Sequence, residues 1–172
     1  MYLLWIIAFL LLFLAFWLFY TRLIGSEYGP TTMKRARRMI EFAKITKKDI
    51  VYDLGSGFGG LAILASKNAK KVIGIEFDIL RYFFSIIRAF FHGARNAKFI
   101  RGNLFKQDIS NADVILLFLK QKTNQKLKAK LKNLKKGARV VSNTWTFENW
   151  KPIRQDKKLK VYMYVLGESD KK

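Results

Sequence analysis

An acidic strand end that runs into a glycine-rich loop constrains the fold of this chain more than any other feature. The apolar segment 50–54 carries Asp53 next to its last residue, and the loop Gly55-Ser56-Gly57-Phe58-Gly59-Gly60 follows at once. A loop of this pattern, between a strand and a helix, is typical of the ligand-binding crevice of an open α/β sheet. The loop therefore predicts such a sheet, with a ligand site at its edge.

Apolar stretches of strand length alternate with stretches of helix length from Asp49 onward, as in crossover units on a parallel sheet. The pattern predicts a doubly wound, Rossmann-like, mostly parallel sheet with right-handed crossovers and no second soluble domain. The predicted strands are 50–54, 71–76, 97–101, 113–118, 138–142 and 160–166, and the predicted helices are 60–68, 79–92 and 124–134.

Residues 2–20 form an apolar run without charge, glycine or proline, and all 33 lysines and arginines lie beyond it. About 20 apolar residues in a helix cross the hydrocarbon core of a bilayer, so we expect one N-terminal transmembrane helix, an anchor over 1–24. A cleaved signal peptide is the competing interpretation, but no basic segment precedes the run and no clear cleavage site follows it. A buried core helix fits less well, because the run has no polar face.

Basic residues follow this run and none precedes it. Arg22 comes first, and Lys34, Arg35, Arg37 and Arg38 come soon after. The positive-inside rule then predicts a single-pass protein of the cell membrane with a cytoplasmic domain. The absence of cysteine is compatible with that side of the membrane and excludes disulfides and thiolate metal sites. We predict no metal.

A connector and an amphipathic helix separate the apolar run from the predicted sheet. Residues 25–32 are rich in turn formers, and Thr31 or Thr32 is suited to cap a helix over 33–44. The chain is thus divided into an anchor (1–24), a connector with this helix (25–48) and a core (49–172). The apolar face of the helix is predicted to hold Met33, Ala36, Met39, Ile40 and Ala43.

The net charge of +21 has three interpretations. It favours attraction to anionic lipid headgroups, or binding to an acidic macromolecule such as RNA, or it reflects composition alone. Eight lysines lie in the segment 120–136, together with leucines at helical spacing. That segment is predicted to be a surface helix with a solvated basic face.

Two carboxylates at the ends of predicted strands point to the ligand. Glu76 lies 19 residues after Gly57, where a carboxylate can accept hydrogen bonds from both hydroxyls of an adenosine ribose. Asp53 would repel the pyrophosphate of a dinucleotide by roughly several kcal/mol, but it would attract the ammonium and sulfonium of S-adenosylmethionine. After the third strand, Asn103 can accept a hydrogen bond from an adenine amino group. The alternatives are that Asp53 only caps loop amides, that Glu76 is a solvent-exposed strand end and that Gly102-Asn103 is an ordinary turn.

These motifs resemble those of the seven-strand class I methyltransferases, with residues 51–59 as the first motif and 74–78 as the second. Within that family the chain is most similar to the archaeal and bacterial protein lysine methyltransferases and to their membrane-anchored mitochondrial relative. Tyr28-x-Pro30-Thr31 is similar to the segment that helps hold the methionine end of the cofactor, and residues 134–142 with Trp150-Lys151-Pro152 are similar to the closing segment. The resemblance implies that S-adenosylmethionine is bound by Tyr28, Pro30, Thr31, Asp53, Gly55, Ser56, Gly57, Gly59, Glu76, Phe77, Asn103 and Leu104.

The chain departs from the family pattern in three ways. Phe58 replaces an acidic or polar loop residue, Phe118-Leu119-Lys120 replaces the motif with which many relatives handle the target nitrogen, and the chain is short for a complete terminal hairpin. No general base is evident, because His92 is the only histidine and its position predicts a helix cap. Tyr28 and Trp145 are candidates for lining the channel of the methyl acceptor, and ordinary packing is the alternative for both.

The resemblance implies methyl transfer to a nucleophile, with a protein lysine near the membrane as the expected acceptor. Two alternatives stay open. One is methylation of a lipid or quinone, for which a membrane location is equally natural. The other is a non-catalytic, membrane-tethered module that binds RNA or anionic lipid through its basic surface.

Overall fold

The computed structural model describes residues 2–23 and 31–170, and the side chains of residues 14 and 17–23 fall outside that description. The chain divides into two compact units, Met1–Pro30 and Thr31–Lys172. The first contains helix α1 (Tyr2–Leu23), whose described large apolar side chains are exposed. Over the described part of the chain, no helix is long and apolar enough to cross a membrane. The predicted transmembrane helix is therefore not confirmed.

The second unit begins with helix α2 (Met33–Ala43). The hydroxyl of Thr32 accepts a hydrogen bond from the amide of Arg35, as the predicted cap requires. The helix buries Ala36, Met39, Phe42 and Ala43. The prediction for Met33 was wrong: it is 60% exposed, and Phe42 near the C-terminal end takes part in the core instead. Of its basic residues, Lys34 and Arg37 are exposed, whereas the Arg38 guanidinium lies over the ring of Phe42 and pairs with Asp156.

Between residues 31 and 170 the structure has seven strands in one sheet. The elements are β1 (Ile50–Leu54), α3 (Gly60–Ser66), β2 (Lys71–Glu76), α4 (Ile79–Phe91), β3 (Ala97–Arg101), β4 (Val114–Leu117), α5 (Gln121–Lys132), β5 (Arg139–Asn143), β6 (Arg154–Asp156) and β7 (Val161–Val165). The strand order is β3-β2-β1-β4-β5-β7-β6. The first five of these are parallel and β7 is antiparallel to both of its neighbours. The predicted doubly wound, mostly parallel α/β sheet is confirmed.

The terminal hairpin that the chain was expected to lack is present. Strand β6 pairs with β7 in the register Gln155 to Tyr162, and the Asp156 side chain accepts a hydrogen bond from the amide of Leu159 in the turn between them. The expectation was wrong because β6 has only three residues, all polar, and such a strand leaves no apolar alternation in the sequence.

The core lies on both faces of the sheet. One cluster packs Leu127 and Leu131 of α5 against β1, β4 and β5. On the opposite face, α2 and α3 contribute Met39, Phe42 and Leu61 to a second cluster. Strands β1 and β4 are central and almost wholly buried, so the carboxyl end of β1 opens at the middle of the sheet. This end is where a parallel sheet reverses its strand order and forms a ligand crevice.

Candidate functional site

The glycine loop is held to the neighbouring strand by its backbone. The amides of Gly55 and Ser56 both donate to the carbonyl oxygen of Ile75 on β2, at 2.9 and 3.0 Å. Gly55, Gly57 and Gly59 all have positive φ angles, of 79°, 54° and 74°. Residues other than glycine rarely adopt such angles, so the path of this loop requires its glycine spacing.

Glu76 closes the loop from the end of β2. One carboxylate oxygen accepts a hydrogen bond from the amide of Gly57 at 2.7 Å, and the other accepts one from the amide of Asp78 at 2.9 Å. The side chain is buried, so the alternative of a solvent-exposed strand end does not hold. A carboxylate has about four acceptor positions, and these two bonds leave capacity for the two hydroxyls of a ribose.

Asp53 is buried at the carboxyl end of β1 with one oxygen, Oδ2, that has no hydrogen-bond partner among the described residues. Burial raises the pKa of this carboxyl to about 7, a backbone hydrogen bond from Ala62 opposes that shift, and the charge of Glu76 adds to it. A buried polar atom without a partner is costly and rare, and it commonly marks a functional site. This oxygen is suited to pair with a cationic group or with a hydrogen-bond donor of a ligand.

Two apolar side chains lie against the loop, and the sequence predicted neither contact. A Cβ on Gly55 would lie 2.8 Å from Leu119 Cδ2, and one on Gly59 would lie 2.8 Å from Phe99 Cζ. Phe99 also lies against Gly74, where a Cβ would come within 2.6 Å of its ring. These contacts join residues far apart in sequence, so no local pattern could have indicated them.

Phe58 turns away from the sheet toward α4. Its ring makes an edge contact with the ring of Phe84, with centroids 6.0 Å apart. Its carbonyl oxygen accepts a hydrogen bond from the guanidinium of Arg88 at 2.9 Å. The unusual loop residue is thus part of an aromatic contact on the outer surface.

Three further residues predicted to bind the cofactor lie at the ends of β2 and β3, and Asn103 is the one predicted to contact adenine. The side-chain oxygen of Asn103 accepts a hydrogen bond from the amide of Phe105 at 2.9 Å, which closes a local turn. That oxygen keeps a second acceptor position. Phe77 is exposed directly after Glu76, and Leu104 is half-buried against the core of the sheet. The assignment of these three residues to the cofactor stays a prediction.

Four other residues were predicted to lie in the cofactor site or the acceptor channel. Tyr28 and Pro30 lie outside the described residues, and Thr31 immediately precedes the cap of α2. Trp145 follows β5 and is 42% exposed, and its carbonyl oxygen accepts a hydrogen bond from the Asn124 side chain at 3.3 Å. Its role in an acceptor channel stays a prediction. His92 caps the C-terminal end of α4, with Nδ1 2.8 Å from the carbonyl oxygen of Arg88, as predicted.

The geometry fits S-adenosylmethionine at three points. The loop gives close backbone approach at Gly57, Glu76 has free acceptor positions for a ribose, and Asp53 Oδ2 lacks a partner that a cationic group would supply. A pyrophosphate at the same loop would lie beside two buried carboxylates, which is unfavourable. Within the described residues, no group of three His, Asp or Glu side chains is arranged to hold a metal ion.

Comparison with known proteins points to the same chemistry. The ANTKMT methyltransferase domain family matches residues 53–154. A protein-lysine N-methyltransferase of Saccharolobus islandicus is 41% identical over 151 residues, which cover 82% of this chain and 94% of that protein. A lysine N-methyltransferase of Homo sapiens that acts on the ATP synthase is 28% identical over 133 residues, which cover 76% of this chain but only 57% of that relative.

A solved structure agrees closely with the fold. An RNA methyltransferase from Salinibacter ruber, in complex with S-adenosyl-L-homocysteine, superposes with a TM-score of 0.77 and is 33% identical. The match covers 83% of this chain and all of that chain. The bound S-adenosyl-L-homocysteine in that structure is the product that S-adenosylmethionine leaves after it has given up its methyl group.

Proposed function

The chain belongs to the ANTKMT methyltransferase family and is an S-adenosylmethionine-dependent methyltransferase, and from that premise we propose that it methylates protein lysine side chains at a membrane surface. The observation that carries the lysine assignment is the 41% identity with the Saccharolobus islandicus lysine N-methyltransferase, which extends over nearly the whole of that protein. Because the chain is an enzyme of this family, the alternative of a non-catalytic binding module no longer applies.

The residues of the loop would bind and orient the cofactor. Glu76 would accept the ribose hydroxyls, and Asp53 would face the positive end of the molecule. S-adenosylmethionine supplies a methyl group on a sulfonium, which a neutral amine can attack in line. The chain's contribution is then alignment and exclusion of water, and Leu119 lies against the loop in a position to exclude it.

The acceptor amine has to lose its proton before it reacts. A lysine has a reference pKa of about 10.4. The net charge of +21 disfavours a further cation near the domain and so lowers the pKa of an incoming lysine, and an apolar site lowers it further. These two effects favour release of the amine proton to solvent, and no residue is assigned as a general base.

The segment after β4 favours an aliphatic amine over a nucleobase. Residues 118–120, Phe-Leu-Lys, carry neither a carboxylate nor an amide, and Leu119 approaches the loop closely. An exocyclic nucleobase nitrogen has its lone pair delocalised into the ring and needs polar groups to direct it. A neutral lysine amine carries a localised lone pair and needs only to be aligned. RNA is a second candidate acceptor, supported by the similarity to the Salinibacter ruber enzyme and by the basic charge. Methylation of a lipid or quinone stays a prediction.

We also propose that residues 1–24 attach the enzyme to the cell membrane, with the domain on the cytoplasmic side. The support is the uncharged run 2–20, the exposure of the described apolar side chains of α1 and the basic residues that follow from Arg22 onward. An acceptor lysine close to the bilayer follows from that attachment.

Radioactive methyl transfer identifies the acceptor. The full chain is incubated with S-adenosylmethionine labelled in its methyl group, at a concentration near its Kd, and with native membranes, RNA or extracted lipid. Asp53→Asn, which should bind the cofactor more weakly, serves as the control with reduced activity. We expect label in a membrane protein band that protease removes and RNase does not, and methyllysine in its acid hydrolysate. Label in the lipid extract, or label that RNase removes, contradicts the lysine proposal.

The affinity for S-adenosylmethionine should rise with pH between about 5.5 and 7. The pKa of Asp53 is raised to about 7 in the folded protein, so the carboxyl is neutral below that pH and cannot attract a cation. Binding at pH 5.5 should be about 15-fold weaker than at pH 7, because the ionised fraction of Asp53 falls and a proton must be released on binding. The cofactor's amino group, with a reference pKa of about 7.7 to 8.0, stays protonated over this range.

The free energy of unfolding of the cofactor-free protein should change with pH in the opposite direction and fall as the pH rises. Because the folded pKa of Asp53 is raised above its ordinary value, its contribution to stability is fully present below about pH 4 and is lost as the pH rises through about 7. Titration calorimetry from pH 5.5 to 7 measures the affinity. The affinity of Asp53→Asn for S-adenosylmethionine should be nearly independent of pH. If the affinity of the unaltered protein is also independent of pH, Asp53 does not face the cation.

A further inference from the structure

The outward side of α4 is apolar where a surface helix normally carries charge. At least two-fifths of each of these side chains is exposed, and Phe90 reaches 80%. We call this set the aromatic surface of α4. It consists of Ile79, Phe83, Phe84, Ile86, Ile87, Phe90 and Phe91.

The inward side of the same helix is small or polar. Arg81, Ser85 and Ala89 are its buried residues, and Ala89 joins a small cluster with Ile63 and Ala94. The helix is therefore held to the sheet by its short side chains, which allow close packing on β2 and β3. The large apolar side chains take no part in that packing and are available to a partner. Exposed apolar patches of this kind mark interaction sites.

The exposed charges along this surface are basic, and the adjacent acidic residue, Asp78, is buried where it caps α4. Residues 79–101 contain five lysines and arginines and no aspartate or glutamate. Arg88, Arg95 and Lys98 are exposed along α4 and β3. A groove of about 550 Å³ lies at the C-terminal end of α4, with Phe90 and Phe99 in its apolar walls and Arg95 and Lys98 among its lining residues. Aromatic side chains next to exposed cations suit the interfacial region of an anionic bilayer.

We propose that the aromatic surface of α4 inserts into the headgroup region of an anionic membrane. The charges favour this partner over a second copy of the chain, because two copies meeting here would bring the same cations together, whereas anionic headgroups would neutralise them. The contact of Phe84 with Phe58 joins this surface to the glycine loop, so insertion brings the cofactor loop close to the bilayer. The proposal depends neither on the acceptor nor on α1.

Site-specific fluorescence tests the proposal on the full chain. The protein has no cysteine, so Phe90→Cys and Ile87→Cys each provide a single labelling site for an environment-sensitive dye. The matched control is Lys126→Cys, on α5 at the other face of the sheet. Each labelled protein is reconstituted in vesicles of phosphatidylcholine with or without phosphatidylglycerol, in which a fraction of the lipid carries a quencher on its acyl chain.

We expect the dyes at positions 87 and 90 to be quenched severalfold more strongly than the dye at position 126, and more strongly with phosphatidylglycerol than without it. Unchanged circular dichroism and cofactor affinity confirm that each variant is folded. If the protein associates with vesicles but the dyes at all three positions are quenched equally, the proposal is overturned. Helix α1 is then the part of the chain that attaches the protein to the vesicle. The proposal is also overturned if the dyes at positions 87 and 90 are shielded from aqueous iodide in the absence of vesicles. If the shielding increases with protein concentration, a second copy of the chain covers the aromatic surface of α4. If it does not depend on concentration, a segment of the same chain covers it.

Discussion

Asp53→Asn is expected to weaken S-adenosylmethionine binding by about 100-fold, which corresponds to about 2.7 kcal/mol. The substitution keeps the shape of the side chain and removes its charge. In the folded protein Oδ2 of Asp53 is buried and has no partner among the described residues, so this oxygen can pair with a cation when the carboxyl is ionised. Removing one member of a buried, charge-assisted contact costs about 2 to 5 kcal/mol.

The same substitution should leave the free energy of unfolding of the cofactor-free protein unchanged or higher at neutral pH, because an unpaired buried charge is replaced by a neutral amide. Asp113→Asn is the matched control. That carboxylate, at the start of β4, accepts a hydrogen bond from the amide of Ile50 and pairs with Lys135, so its loss should lower stability and leave the cofactor affinity unchanged. Calorimetric titration and urea unfolding measure both quantities. Equal affinity in Asp53→Asn and the unaltered protein would contradict the assignment.

Gly59→Ala is expected to lower the free energy of unfolding by about 3 kcal/mol, the sum of a backbone and a packing cost. Gly59 has a φ angle of 74°, and an added Cβ would lie 2.8 Å from Phe99 Cζ and 3.0 Å from Ser85 Cβ. The left-handed backbone costs about 1 to 2 kcal/mol for alanine, and overpacking costs about 1 to 3 kcal/mol more. Because Gly59 precedes the first turn of α3, the shift should also displace the loop and abolish measurable cofactor binding.

Gly93→Ala separates the backbone cost of an added Cβ from its packing cost. Its φ angle is 63°, but nothing lies within 4 Å of an added Cβ, so only the backbone cost of about 1 to 2 kcal/mol remains. Urea unfolding of both variants gives the difference. If Gly59→Ala and Gly93→Ala were equally destabilised, the contact with Phe99 would have no energetic importance.

The regular part of this fold was accessible from the sequence. The strands 50–54, 71–76 and 97–101 were predicted with their observed bounds. The buried strands β1 and β2 are largely apolar. The edge strand β3 is mostly exposed, and turn residues on either side mark its bounds. Strand β6 was missed because three polar residues carry no such signal. Its place in the sheet depends on pairing with β7, a contact outside any local window.

Some features of the site could likewise be predicted from the sequence and others could not. The sequence positions of Asp53 and Glu76 follow from their strand ends, and the structure has both buried beside the glycine loop. Neither the unpartnered oxygen of Asp53 nor the contacts of Phe99 and Leu119 could be predicted, because they depend on how strands far apart in sequence are packed. Periodicity shows that α4 is amphipathic, but it does not show that the small side faces inward.

Equilibrium titration of the unaltered full chain tests the central claim most directly. S-adenosylmethionine and, separately, NAD are titrated against the protein at about pH 7.5, where most of Asp53 is ionised. We expect saturable binding of S-adenosylmethionine to one site, displacement by S-adenosyl-L-homocysteine, and no competition by NAD. Failure to bind S-adenosylmethionine, or its displacement by NAD, would contradict the assignment of the loop at Asp53 to this cofactor.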